Sequence, residues 1–355
     1  MEKLWLTIIN NKNKPGYWPA VFILWLVSIL YNIGVHVRRI FSPAPARISI
    51  PVISIGNITV GGSGKTPMVI RLAEYFRSRN KKVGIISSGY GRRSKKNIDG
   101  TGQEIASLAV DLTGDEVLMM AETLPDIYFT VAKSKYEAAG RMDEKYHPDI
   151  ILVDDGYQHH RLGRDFDLLI IDSGIDLRKE HIFPLGRLRE SIHALERAQG
   201  AVLTKGNIST AAPGYVDWIR GNFPGKPVAE VEFVNESIVA GGKRIPIDET
   251  TGQSVYFFAG IGGFSTLLNY VRSMYGNIAE QRQFPDHCCY SPETVAELTK
   301  DIDKINPDLV LTTHKDYVKI RNFDFGRIVY YLDLQLRFIS GEQDLLEKLD
   351  QVVKK

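Results

Sequence analysis

The stretch from 48 to 80, ISIPVISIGNITVGGSGKTPMVIRLAEYFRSRN, decides the fold. It opens on an apolar, β-branched run (48–58) that reads as a strand, and closes on an amphipathic helix (67–80). Between them lies Thr59-Val60-Gly61-Gly62-Ser63-Gly64-Lys65-Thr66. A loop that wraps phosphates needs glycines, because the backbone must turn tightly and aim successive N–H groups at the anion. The helix that follows presents its positive end to the same charge. In this reading Lys65 reaches the β- and γ-phosphates of a nucleotide and the Thr66 hydroxyl binds Mg²⁺. Thr59 stands where the usual pattern has Gly; Gly61, Gly62 and Gly64 supply the freedom required.

Outward from this loop, short apolar strands alternate with helical stretches: KKVGIISSGY (81–90), DIYFTVA (126–132), DIILVDDG (149–156), DFDLLIIDS (165–173) and AVLTKG (201–206). Strands bounded by turns and separated by helices predict a P-loop NTPase-type α/β fold, a mostly parallel sheet with helices on both faces. The pattern loosens at Pro224-Gly225-Lys226-Pro227. VAEVEFV (228–234) and RIVYYLDLQLRF (327–338) then flank VYFFAGIGG (255–263), a helix over 267–274 and DLVLTTHKD (308–316). This predicts a smaller α/β unit entered and left through a two-stranded linker. The expected division is an N-terminal membrane-associating helical segment (1–42), a P-loop core (43–226), a linker strand (227–238), the smaller domain (239–326), a returning strand (327–338) and a C-terminal helix (339–355).

The segment PAVFILWLVSILYNIGVHV (19–37) carries no Lys, Arg, Asp or Glu and is closed by Arg38-Arg39. It is marginal in length for crossing a bilayer, which takes about 20 apolar residues. A spanning anchor, a helix lying in the interface and a buried core helix compete, and membrane association is the expectation. The Arg pair and the phosphate chemistry place the body on the cytoplasmic side. At 355 residues and a net charge of +2, the chain has room for two domains and gives no electrostatic argument for a nucleic-acid partner. Adjacent Cys288 and Cys289 exclude a disulfide framework.

The strand 150–154 ends in Asp154-Asp155-Gly156. A strand-end Asp beside a P-loop holds the Mg²⁺ that bridges the phosphates. His159 and His160, adjacent on an extended chain, point to opposite faces and suit substrate or nucleotide contact better than a metal. Gly114-Asp115-Glu116 opens a helix. A carboxylate there is ordinarily a cap, but phosphoryl transfer to a hydroxyl needs a positioned base. Asp115 is the candidate base, with Glu116 assisting. Phe284-Pro285-Asp286-His287 lies in the second domain, and His287 matters only if it is brought to the P-loop.

These motifs together resemble the tetraacyldisaccharide 4′-kinase family, the lipid A 4′-kinases of Gram-negative bacteria. The resemblance rests on Gly56–Pro67, where Thr59 is usual, and on Ser88-Gly89-Tyr90-Gly91-Arg92, Gly114-Asp115-Glu116 and Asp154–His159. It continues through Pro184-Leu185-Gly186-Arg187-Leu188-Arg189-Glu190, Phe284–His287 and Thr313-His314-Lys315-Asp316. It implies ATP and Mg²⁺ and a tetraacylated glucosamine disaccharide 1-phosphate as acceptor; the expectation is a monomer at the cytoplasmic face of the bacterial inner membrane. It pairs Asp115 with His287, and adds Glu190 to Asp154 and Asp155 as candidate metal carboxylates. Tyr90, Gln158 and Arg189 become nucleotide or transition-state contacts beside the loop residues Thr59 to Thr66. The family often has Thr-Glu-Lys-Asp where this chain has His314, which leaves that position without an assigned role. The alternative is a P-loop small-molecule kinase or GTPase-type hydrolase without a lipid substrate. Guanine specificity lacks its usual motif, since Thr204-Lys205-Gly206-Asn207 has no Asp.

Overall fold

The computed structural model describes residues 2–208 and 211–354, with side chains from residue 4 onward. Residues 1, 209, 210 and 355 lie outside the described residues, the last of them in the expected C-terminal helix. The strands are β1 (Val52–Gly56), β2 (Val83–Ser87), β3 (Ile98–Thr101), β4 (Tyr128–Val131), β5 (Ile150–Asp154), β6 (Phe166–Asp172) and β7 (Gly200–Thr204). There follow β8 (Val228–Ala240), β9 (Lys243–Pro246), β10 (Val255–Ala259), β11 (Ile278–Gln283), β12 (Leu309–Thr313) and β13 (Val329–Ser340). They form one sheet in the order β11-β10-β12-β13-β8-β7-β6-β1-β5-β2-β4-β3, with β9 folded back on β8.

In the first half every pairing is parallel except that of the edge strand β3 with β4. All residues of β1, β2, β5 and β7 are buried, which is why these strands read as unbroken apolar runs rather than as alternation. One face is covered by Met68, Leu72 and Phe76 of the helix Lys65–Ser78, with Leu345 and Leu349 of the C-terminal helix Glu342–Val353. Ala138, Ala139 and Met142 of the helix Lys135–Tyr146 cover the other. Each fully buried Leu, Phe or Met contributes about 1.5–3 kcal/mol relative to exposure.

β8 begins in parallel with β7 (Ala201↔Val228) and then pairs antiparallel with β13, from Ser340↔Glu230 to Tyr331↔Val239. β13 pairs in parallel with β12. These two long strands therefore carry the sheet without interruption into the second half. There β10 and β12 lie between the helix Phe264–Tyr275 on one face and the helix Pro292–Ile305 on the other.

The N-terminal helix Trp18–Ile40 is 23 residues long, about 34 Å at 1.5 Å per residue. It extends beyond the charge-free segment and takes Arg38 and Arg39 into its last turn, where cations suit the negative end of the helix. It is long and apolar enough to cross a membrane, and only 6% of its most apolar window is buried against the protein. Trp18, Phe22, Ile23 and Leu30 are 58–68% exposed, so the core-helix reading does not hold.

Candidate functional site

Because β1, β2, β5 and β7 run parallel, their C-terminal ends share one edge, and the loops that follow them converge there. The phosphate loop leaves β1 with Gly61 at φ +110° and Gly64 at φ +89°, and Gly64 is the N-cap of the helix Lys65–Ser78. Its second limb is held by neighbours: the Asn57 amide donates to Ser63 Oγ at 2.9 Å and the Thr204 hydroxyl donates to the Ser63 carbonyl at 2.8 Å. The Lys205 ammonium donates to the Gly62 carbonyl and is paired with Asp172 at 2.6 Å. The first limb is extended. Val60 N–H donates to the Arg187 carbonyl at 2.8 Å, Arg189 N–H donates to the Ile58 carbonyl at 2.7 Å, and Thr59 bridges Leu188. Thr59 is thus a strand-like residue, buried to 5% exposure, and nothing there requires glycine.

Lys65 Nζ lies 3.7 Å from Asp155 Oδ1, and the Arg189 guanidinium donates to both Asp155 oxygens at 3.2 and 2.9 Å. Burial pushes the Asp155 carboxyl up, but Lys65 and Arg189 together hold it below the usual range. Asp154 differs. The Ser87 hydroxyl donates to its Oδ2 at 3.0 Å, while Oδ1 is buried with no hydrogen-bond partner. Burial raises this carboxyl, and the attraction of Lys135 offsets that only in part. The Lys135 ammonium, itself pulled down to about 8 by burial, donates to the Asp154 carbonyl at 3.0 Å. An orphaned carboxylate oxygen in such a place fits a hard divalent cation.

Glu190 is engaged by protein groups in this structure. Its oxygens accept from the Arg197 guanidinium at 2.8 and 3.2 Å and from the Gln158 amide at 3.1 Å. A carboxylate engaged by a guanidinium fork is satisfied without a metal. Gln158 also donates to the Asn57 carbonyl at 2.8 Å, so the pair is tied to the entry of the loop.

The helix Asp115–Thr123 starts after Gly114 (φ +90°) and brings Asp115, only 4% exposed, to the junction of the two halves. From the second half, His287 Nδ1 lies 3.0 and 3.2 Å from the Asp115 oxygens and Lys319 Nζ lies 3.1 Å away. Burial raises the Asp115 carboxyl, but the His287 hydrogen bond and the charges of Lys315 and Lys319 outweigh it and hold it at about 2. Glu116 is pushed up by burial and by Asp154. The Tyr90 ring tilts over His287 with centroids 4.8 Å apart. The same helix also carries Glu122, which meets His314 Nε2 at 3.0 Å and pairs with Arg321. His314 thus has a place in this contact between the halves.

Sequence reasoning missed Lys319, Lys135 and Arg197 and gave Lys315 no role beyond its place in a motif, because a lone cation on a helix ordinarily faces water. The available signal was the spacing of Lys315 and Lys319 around Asp316, which puts both cations on one helix face directly after a strand. At the position where a guanine-reading residue would sit, Asn207 is committed elsewhere. Its side chain exchanges hydrogen bonds with the Phe233 backbone at 2.6 and 3.2 Å.

The family model for tetraacyldisaccharide-1-P 4′-kinase, LpxK, matches residues 20–354. The tetraacyldisaccharide 4′-kinase of Geobacter metallireducens is 34% identical over 84% of this chain and 88% of its own length. That of Syntrophobacter fumaroxidans is 31% identical over 94% and 88%. The crystal structure of LpxK from Aquifex aeolicus in complex with ATP superposes with a TM-score of 0.76 at 26% identity, covering 94% of this chain and 99% of that one. A phosphate loop, a strand-end carboxylate pair and an Asp–His contact across two halves thus occur in a chain that belongs to the tetraacyldisaccharide-1-P 4′-kinase family.

Proposed function

We propose that this protein transfers the γ-phosphoryl group of ATP to the 4′-hydroxyl of a tetraacylated glucosamine disaccharide 1-phosphate, a step of lipid A biosynthesis. The observation that carries the mechanism is the meeting of Asp115 with His287 beside the loop's own edge of the sheet. As the acceptor oxygen bonds to the γ-phosphorus, the bond from that phosphorus to the β–γ bridging oxygen breaks, and the hydroxyl proton passes to the Asp115 carboxylate. Lys65 supplies positive charge to the β- and γ-phosphates, with the loop's backbone N–H groups. Thr66 and Asp154 would hold Mg²⁺, which neutralises phosphate charge when bound; Asp155 is kept ionised by Lys65 and Arg189 as their orienting partner.

The lipid nature of the acceptor is supported by the exposed apolar face of the helix Trp18–Ile40, which we read as associating with the cytoplasmic face of the inner membrane. Beside the end of that helix, a cavity of about 480 Å³ is lined by Arg38, Lys133, Lys135, His159 and Arg161, a setting suited to a phosphorylated sugar at the bilayer surface. The test is transfer of labelled γ-phosphate to the tetraacyldisaccharide 1-phosphate in detergent micelles. Label is expected in the lipid; ATP binding with no label in lipid would defeat the assignment.

A further inference from the structure

We propose that Lys315 is a positioning residue that locks His287 in the Nδ1–H tautomer, so that the imidazole donates to Asp115 and is barred from taking a proton itself. The inference rests on the pairing of Asp115 with His287 described above.

Lys315 Nζ lies 3.2 Å from His287 Nε2. An ammonium has only donors, so Nε2 must be the accepting nitrogen and the ring proton resides on Nδ1. Nδ1 faces the Asp115 oxygens at 3.0 and 3.2 Å, where a donor is required. Lys315 is in turn fixed by Asp286 Oδ1 at 2.9 Å and lies 3.9 Å from Glu116. It projects from the first turn of the helix His314–Ile320, whose N-cap Thr313 accepts from Asp316 N–H at 3.1 Å. The charged groups around the ring are Asp115, Lys315, Asp286 (3.9 Å from Nε2) and, through Asp115, Lys319. Tyr90 covers one side. Burial lowers the Lys315 ammonium, but Asp115, Glu116 and Asp286 raise it above its ordinary value, so it stays charged.

A second proton on His287 would set two cations face to face at that nitrogen. Without Lys315 the Nε2 atom is open to a second proton, and a doubly protonated ring would tie Asp115 up as an ion pair, removing the base from service.

The experiment pairs ¹⁵N-histidine NMR with kinetics on the full chain, using Lys315→Met and Lys315→Arg, with the His287 signal assigned by its loss in His287→Gln. The wild type is expected to keep the Nδ1–H signature throughout the neutral range. Lys315→Met is expected to show His287 becoming doubly protonated there, and to lose about tenfold or more in kcat at neutral pH, recovering in alkaline buffer, while KM for MgATP changes less than about threefold. Lys315→Arg should retain the wild-type signature and pH profile. A wild-type His287 protonated on Nε2, or a Lys315→Met protein with unchanged tautomer and a parallel pH profile, would overturn the proposal. The NMR signal needs no phosphoryl transfer, so it remains readable even if the lipid acceptor is wrong.

Discussion

Gly64→Ala tests whether the loop is held by packing as well as by hydrogen bonds. Gly64 sits at φ +89°, where an added Cβ would lie 3.0 Å from Phe233 Cζ and 3.5 Å from Thr204 Cγ2. Left-handed backbone costs an L-residue roughly 1–2 kcal/mol. Carbon pairs are comfortable at about 3.5–4.0 Å, so the ring contact is too tight as well. Phe233 is on β8, only 7% exposed, and its N–H and C=O are both tied to Asn207, so the ring cannot withdraw by sliding its strand. Overpacking of this kind costs about 1–3 kcal/mol, giving a combined loss of about 2–5 kcal/mol and a melting temperature lower by several degrees. Displacing the loop should also weaken ATP binding by about tenfold or more. The assay is chemical denaturation of Gly64→Ala, Phe233→Leu and the double variant, with ATP affinity by calorimetry. Because the ring causes part of the loss, the double variant should be more stable than the two single losses predict, by about 1 kcal/mol. Additive losses, or a neutral Gly64→Ala, would refute the reasoning.

Asp115→Asn should lower kcat by about a hundredfold or more while ATP affinity changes little, since the residue's partners are His287, Lys319 and the Glu116 N–H rather than the loop; stopped-flow turnover with equilibrium binding separates the two. Arg189→Met leaves Asp155 with Lys65 at 3.7 Å as its remaining ion-pair partner, and kcat/KM for MgATP is expected to fall about tenfold, read by steady-state kinetics. Burial, with the charge of Lys135, pulls the His159 imidazole from its ordinary 6.5 to about 4. The unfolded chain therefore binds a proton that the folded chain refuses, and stability, complete above the ordinary value, is lost as pH falls from there toward about 4. Asp115, held at about 2, adds a further loss only below the ordinary carboxylate value. Urea midpoints measured from neutral to mildly acidic pH should show the first loss, and His159→Gln should reduce it, while His314, also held at about 4 by burial, keeps the remainder.

The centre of the sheet was legible because fully buried parallel strands leave unbroken apolar runs. The runs at 149–156 and 165–173 contain β5 and β6 with only their ends trimmed. The helix expected over 67–80 begins at Lys65 instead, since Gly64 provides the cap and Pro67 is tolerated in a first turn. The edge strands β3 and β9 were not legible: each is four residues long with one partner, and IDGT and KRIP carry little apolar signal. In the site, Lys65, Asp115 and Asp154 could be found because local order, strand then loop then helix, marks them. The ion pair of Glu190 with Arg197 was not legible, although the two lie only seven residues apart. Lys319 became visible only when a segment more than two hundred residues from Asp115 folded onto it. Local pattern carries no record of such contacts.

The most direct measurement of the central claim, that Asp115 and His287 act as one unit across the two halves, is a kinetic double-mutant cycle. Turnover of Asp115→Asn, His287→Gln and the double variant is compared at saturating MgATP and lipid acceptor. A histidine that serves only to orient and tune the carboxylate has nothing left to do once that carboxylate is gone, so the double variant should turn over about as slowly as Asp115→Asn alone. Losses that multiply would mean that the two residues act independently, and would contradict the account.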